Sequence, residues 1–361
     1  MGGISVGRAA GVSRLWQYLK RFVLLGLLLV VGLVSPVAYV ETFCRGSGEA
    51  TPYSALIDPA YHRPETRTLM TYPEWHIVHA YEDYAQVINS GDPHDYGFLR
   101  GIGGFWSSLC TLSRNAVAHG DIDSGTKQMV YVIGVSFTAE LLLKAAYEET
   151  VGRLFASVRG AERAPLDLVS AAQATAYAGF LQQVPWYKWR FREDAEELHA
   201  RATDALRDRE RLVALGLEYR AKEIYVEVIA GAVAQIGPDD LTLRLIVSGT
   251  NREYLAGAEG VRVVDERPEG IEIEAPRYRT LTDLLERFAA DGLDFAEIAG
   301  NDDILFTALS DRPSEPGSMF SRSRQGSDDF RHLIVVKVTD LADRLRGMEG
   351  SGLKLEHVHD Y

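Results

Sequence analysis

The sequence predicts an α+β protein with an N-terminal transmembrane helix, a helical membrane-proximal region and a C-terminal ferredoxin-like α+β domain. Three observations predict it. An uncharged apolar run, Phe22 to Val40, directly follows Lys20 and Arg21. Residues 45–237 carry helix-period patterns with start signals. After "GPDD", at 237–240, the pattern changes to short strand-like runs broken by two well-delimited helices.

The first element is the anchor, within residues 1–44. At ~1.5 Å per residue the run "FVLLGLLLVVGLVSPVAYV" is long enough to cross a ~30 Å hydrocarbon core. A cleaved signal peptide is the competing reading, but the run exceeds a typical apolar signal segment and no small-residue cleavage site follows it. "VETFC" also lacks the small residues that precede a lipidated cysteine. Arg8, Arg14, Lys20 and Arg21 place the amino end in the cytoplasm.

Residues 45–191 form the helical membrane-proximal part. Thr71-x-x-Glu74 is a capping-box pattern and Pro73 suits a first turn, so a helix is predicted to open there. "GIGGFWSSLC", Gly101 to Cys110, permits close approach of a neighbouring backbone or membrane. Met129 to Tyr147 is apolar enough to span, yet carries Glu140 and Lys144 one helical turn apart. Two readings stay open, a second span at 129–147 or a buried helix whose charges line its wetter edge. The excess of Arg153, Arg159 and Arg163 after the segment favours the span, which would make a hairpin and return the C-terminal domain to the cytoplasm. Trp186, Tyr187 and Trp189 alternate with Lys188 and Arg190, a mixture suited to a bilayer interface.

Residues 192–237 read as a helical connector, densely charged and solvated in its first part. Residues 238–361 form the α+β domain. "TLTDLLERFAADG" and "TDLADRLRGMEG" both open on Thr and close on Gly. From Ile271 onward the order strand, helix, strands, helix, strand is that of a ferredoxin-like arrangement. Asp311 to Asp329, rich in Ser, Pro, Gly and charge, reads as a flexible insertion between strands.

Charge narrows the function. The formal net charge is −13, and the basic segment 1–44 holds +3 of it, from four basic residues against Glu41, so the remainder is near −16. An acidic body repels nucleic acid, which is excluded as a partner. The only cysteines, Cys44 and Cys110, rule out a disulfide-dense scaffold or a multi-thiolate zinc site and leave room for one disulfide.

"TYPEWHIVHAYEDYA", "GFWSSLC", "IGVSFTAELLLKAAYEETVGRL" and "FLQQVPWYKW", between Thr71 and Arg190, resemble an uncharacterised family of bacterial membrane-anchored proteins. The resemblance covers about a third of the chain. It implies a bacterial inner-membrane setting, and it implies no activity, cofactor or catalytic residue.

The residues themselves offer little catalytic pattern. There is no P-loop, HExxH or paired CxxC, and "GIGG" lacks the third glycine of a dinucleotide fingerprint. "GISVG", Gly3 to Gly7, has no preceding strand and matches a nucleophile elbow by letters alone. Cys110 sits in an apolar-aromatic run without a nearby histidine and reads as a core residue. At ~100° per residue, Ile77, Tyr81, Tyr84 and Ile88 form one helical stripe, and His76, His79 and Asp83 form another on the opposite side. Imidazoles and a carboxylate one turn apart can share a metal in a helical bundle, with Glu140 as the facing ligand. The bland alternative is a solvated face that binds nothing. At the carboxyl end His357 and His359, with Asp360 and the terminal carboxylate, could chelate a divalent ion.

The leading functional expectation is a non-catalytic, membrane-anchored accessory or scaffold protein that binds a lipid or membrane-protein partner. A metal-dependent membrane-bound enzyme using His76, His79 and Asp83, with Glu140 as a further ligand, is the first alternative. A small-molecule sensor is the second, by analogy with other ferredoxin-like domains. No cofactor is assigned.

Overall fold

The computed structural model describes residues 7–47, 53–236 and 241–359. Helix α1 (Gly7–Phe43) projects from the body: its apolar stretch Trp16–Phe43 is almost wholly exposed. Only its last turns pack, with Val37, Val40 and Cys44 seated among α3 (Phe98–Ala116) and α4 (Ser124–Tyr147). Cys44 is disulfide-bonded to Cys110 on α3, with Cα atoms 4.9 Å apart.

Helix α2 (Glu65–Ser90) is the axis of the helical body, packed against α3, α4 and α6 (Pro165–Leu181). It starts at Glu65, not at the Thr71 capping pattern. Pro64, in an extended conformation, is its N-cap residue, and Pro73 lies inside the helix. The capping letters were overridden because the segment before Thr71 has its own buried positions, Leu69 and Met70. The remaining helices are α5 (Arg153–Arg159), continuous with α4 through a π turn at Glu148–Gly152, then α7 (Phe191–Arg201) and α8 (Leu206–Ile236).

The solvated connector expected at 192–237 is instead a structural wall. Asp208 and Arg211 on α8 are fully buried, and Arg211 bonds Glu148 and Glu210 while Arg207 bonds Asp167 and Glu210. The charge density that suggested solvent is self-compensating inside the body. The Trp186–Arg190 aromatics also turn onto the body: Trp186 stacks on Tyr225, and the Trp189 indole packs on Tyr177 and donates to Asp194.

The C-terminal domain holds β1 (Thr242–Ser248), α9 (Arg252–Ala256), β2 (Arg262–Arg267), β3 (Gly270–Pro276), α10 (Arg279–Ala290) and β4 (Asp294–Ile298). It continues with β5 (Asp303–Ser310), β6 (Ser318–Ser323), β7 (Phe330–Lys337), α11 (Val338–Arg346) and β8 (Lys354–His359). These strands form two four-stranded antiparallel sheets, ordered β2-β3-β1-β4 and β6-β7-β5-β8. Each sheet has its second, third, first and fourth strands side by side in that order, with a helix before the last strand. The ferredoxin-like order is therefore present twice, beginning at Thr242 and again at Asp303, where the sequence suggested one unit from Ile271. In the second copy a loop replaces the first crossover helix, which hid the repeat.

Helices α10 and α11 pack on each other and on both sheets around one continuous core. On β5, Ile304, Phe306 and Ala308 enter that core, while Leu305 alternates to the opposite face. That face, with Leu333 of β7, sits on Leu69 and Tyr72 of α2 and Leu112 and Ala116 of α3. The expected flexible insertion at Asp311–Asp329 is also corrected: it contains strand β6, whose Arg322 donates to Ser107, and beyond the strand Gln325 accepts from the Gly97 amide. Its polar composition reflects a strand lying on polar helix surface.

Candidate functional site

A dense set of titratable side chains lies where α2 meets the second sheet. Strand β8 supplies half of it through a bulge. Thr307 pairs with His357 but the adjacent Ala308 pairs with Leu355, so Glu356 is the extra residue. Leu355 and Val358 consequently enter the domain core, whereas Glu356, His357 and His359 meet α2.

From α2, His79 is buried at 3% exposure and stands between two carboxylates. Its Nδ1 is 3.7 Å from Glu82 Oε2 and its Nε2 is 3.9 Å from Glu356 Oε2, both beyond hydrogen-bonding reach. Among the described residues neither ring nitrogen has a hydrogen-bond partner, and the same is true of both nitrogens of His359 and of Nε2 of His357. Thr282 on α10 holds Nδ1 of His357 at 3.2 Å. The aromatic walls are Trp75, packed on His357, and Tyr72, edge-on to His359 at 4.8 Å.

The carboxylates are organised by arginines. Arg331 on β7 donates to both oxygens of Glu356, at 2.6 and 2.7 Å, and to Glu82 at 3.1 Å. Arg324 donates to the other Glu82 oxygen at 2.9 Å. Asp83 accepts from the Gln325 amide at 3.1 Å and lies 3.7 Å from Arg331. Burial pushes the Glu356 carboxyl up, but the Arg331 guanidinium more than offsets this and holds it well below the ordinary carboxylate range. At Asp83 burial wins and the pKa is raised. Burial drives the His357 imidazole down to about 3 and that of His359 well below its ordinary value, so both stay neutral at pH 7.

The four residues singled out in the sequence are divided by this arrangement. His79 and Asp83 reach the junction. His76 turns to α3, where its Nε2 meets the Gly101 carbonyl at 2.9 Å and the rings of Phe105 and Phe137 surround it. Glu140 lies among the helices, accepting from Tyr81 at 2.6 Å and pairing with Lys222 at 3.0 Å. The expectation of a solvated histidine face fails too, because His79 and Asp83 are both buried. His357 and His359 do meet α2 together, while Asp360 and the terminal carboxylate lie outside the described residues. Sequence reasoning missed Glu82 and Glu356. Each stands beside a residue that was noticed, but nothing local reveals that α2 and β8 meet.

A second group at the same junction, Glu65, His119 and Asp303, is closed by the 2.8 Å contact of His119 Nδ1 with Glu65. Compared with family models, curated proteins and solved structures, the chain matches none.

Proposed function

We propose that the protein is a non-catalytic accessory protein of a bacterial inner membrane, anchored by α1 and binding a lipid or membrane-protein partner along the outer face of α4 and α5. The observation that carries this reading is an exposed apolar stripe: Val132, Leu143, Leu154 and Val158 are 55%, 73%, 60% and 62% exposed. Exposed apolar residues that recur along one continuous helix fit protein or membrane contact. The stripe begins beside the anchor, where Tyr131 donates to Glu41 and Lys127 pairs with Glu41 at 3.4 Å.

On this reading α1 crosses once from a cytoplasmic amino end, and the body stands on the far side. Two observations support it over a hairpin. Glu140 and Lys144 pair with Lys222 and Glu218 of α8, each at 3.0 Å, so a second span at α4 would draw a heavily charged helix into hydrocarbon. The Cys44–Cys110 bond, just past the anchor, suits an oxidising compartment.

Photo-crosslinking amino acids at positions 143 and 154, with one at exposed position 286 as control, test the partner in native membranes. A discrete protein adduct or lipid adducts confined to 143 and 154 support the proposal, and labelling no different from position 286 sinks it. A phosphatase fused after Tyr361 should be active, and an inactive fusion beside a fluorescent GFP fusion would restore the hairpin.

A further inference from the structure

We propose that His79, Glu82 and Glu356 bind one divalent transition-metal ion at the junction of α2 and β8. This is independent of the partner proposed above. One donor atom from each of His79, Glu82 and Glu356 lies within 4.8 Å of the others. Metal–nitrogen and metal–oxygen bonds of ~2.1 Å in a tetrahedral shell place ligand atoms roughly 3.4 Å apart. His79 presents Nδ1 to Glu82 at 3.7 Å and Nε2 to Glu356 at 3.9 Å, so one ion takes a single nitrogen, and a donor set spread over 4.8 Å closes around it by up to ~1.4 Å through side-chain torsions.

The independent observation is the state of the imidazoles. Buried polar groups are almost always hydrogen-bonded, yet among the described residues His79 and His359 have four ring nitrogens without partners at 3% and 1% exposure. An ion held by His79 and the two carboxylates satisfies one of these nitrogens. The charge balance points the same way: Glu82, Asp83 and Glu356 outnumber Arg324 and Arg331 in one buried cluster. The arginine contacts do not block the site, because a carboxylate oxygen carries two lone pairs and can accept from a guanidinium while binding a cation.

The donor set fixes the class of ion. One imidazole with two carboxylates suits zinc, iron(II) or manganese, whereas calcium takes an all-oxygen shell. The bulge at Glu356 has a purpose on this account, since it brings Glu356 to the α2 side beside His79.

The test uses the full chain in mild detergent. After chelator treatment the parent is titrated with cobalt(II), followed by its visible d–d absorption, and then with zinc as competitor. Saturation near one ion per chain, with zinc displacing cobalt, is expected. His79→Ala and Glu356→Gln should each weaken binding at least tenfold with helical circular dichroism retained, while His76→Gln, outside the site, should bind as the parent does. If His79→Ala does not fold, Glu82→Gln takes its place with the same expectation. A parent that binds no stoichiometric cobalt, or binding unchanged in both Glu356→Gln and whichever of His79→Ala and Glu82→Gln folds, overturns the proposal.

Discussion

The indole of Trp75 on α2 stacks against the imidazole of His357 on β8, ring centroids 3.7 Å apart and planes inclined by 33°. This contact joins the central helix of one region to the last strand of the other. Leu69, Tyr72, Leu305 and Leu333 extend the join into a small apolar core, so the two regions share buried surface.

Trp75→Ala is therefore expected to cost roughly 2–4 kcal/mol, slightly less than truncation of a fully buried aromatic. Urea unfolding followed by circular dichroism should show one transition moved to lower denaturant. For the same reason residues 238–361 expressed alone should expose the Leu305–Leu333 face and self-associate. A monodisperse, fully folded fragment together with a loss below ~0.5 kcal/mol in the Trp75 variant would mean that the regions are independent.

Reduction of Cys44–Cys110 should release the end of α1 from α3. The bond closes a loop of 66 residues in sequence separation. A loss of about 2–4 kcal/mol on reduction, or in Cys44→Ser, is expected. Thermal melts with and without reductant measure it, and identical melts would show that the bond does not form in the protein.

Arg211 is the largest fully buried side chain, and its guanidinium holds Glu148 at 2.9 Å and Glu210 at 2.6 Å. Arg211→Met fills the space but strands the buried Glu148 carboxylate, while Glu210 keeps Arg207, so a loss of about 3–5 kcal/mol is expected. The double change that also makes Glu148→Gln should recover part of it. Denaturant midpoints for the single and double variants decide the matter, and an Arg211→Met protein as stable as the parent would remove this network as a source of stability.

Acid should act first through the buried imidazoles of His76, His357 and His359. Burial pushes the His76 imidazole down to about 3, with the nearby Arg322 acting in the same direction. The unfolded chain takes up a proton below ~6.5 while the folded protein does not. This contribution is thus complete above pH ~6.5 and is lost as pH falls from there towards 3. Asp167, whose burial is outweighed by Arg207 and whose pKa is lowered, acts later, its contribution being lost as pH falls below the ordinary aspartate value. His76→Gln keeps an amide donor for the Gly101 carbonyl and cannot charge. Its melting temperature should fall less than the parent's between pH 7 and 5, and parallel pH profiles would contradict the assignment.

What the sequence determined by itself is what depends on local pattern. The apolar run Phe22–Val40 specifies a helix without a wet face, and the switch in periodicity after Gly237 separates helices from strands. The two C-terminal helices follow from their amphipathic spacing, Leu281, Leu284, Leu285 and Phe288 in one and Val338, Leu341, Ala342 and Leu345 in the other. Tertiary structure alone decided where the charges went. The polar stripe of α2 could not be told from a solvated face, because a helix buried on both sides by ion pairs has the same residue pattern as one facing water. Its partners, Arg331 and Glu356, lie some 250 to 280 residues farther along the chain. The bulge at Glu356 had no signal either, since it is a property of pairing between β5 and β8 and not of β8. Sequence spacing therefore grouped His76 with His79, whereas packing sent His76 to Gly101 and left His79 facing Glu356, because residues three apart on a helix share a side only as broadly as their neighbours allow.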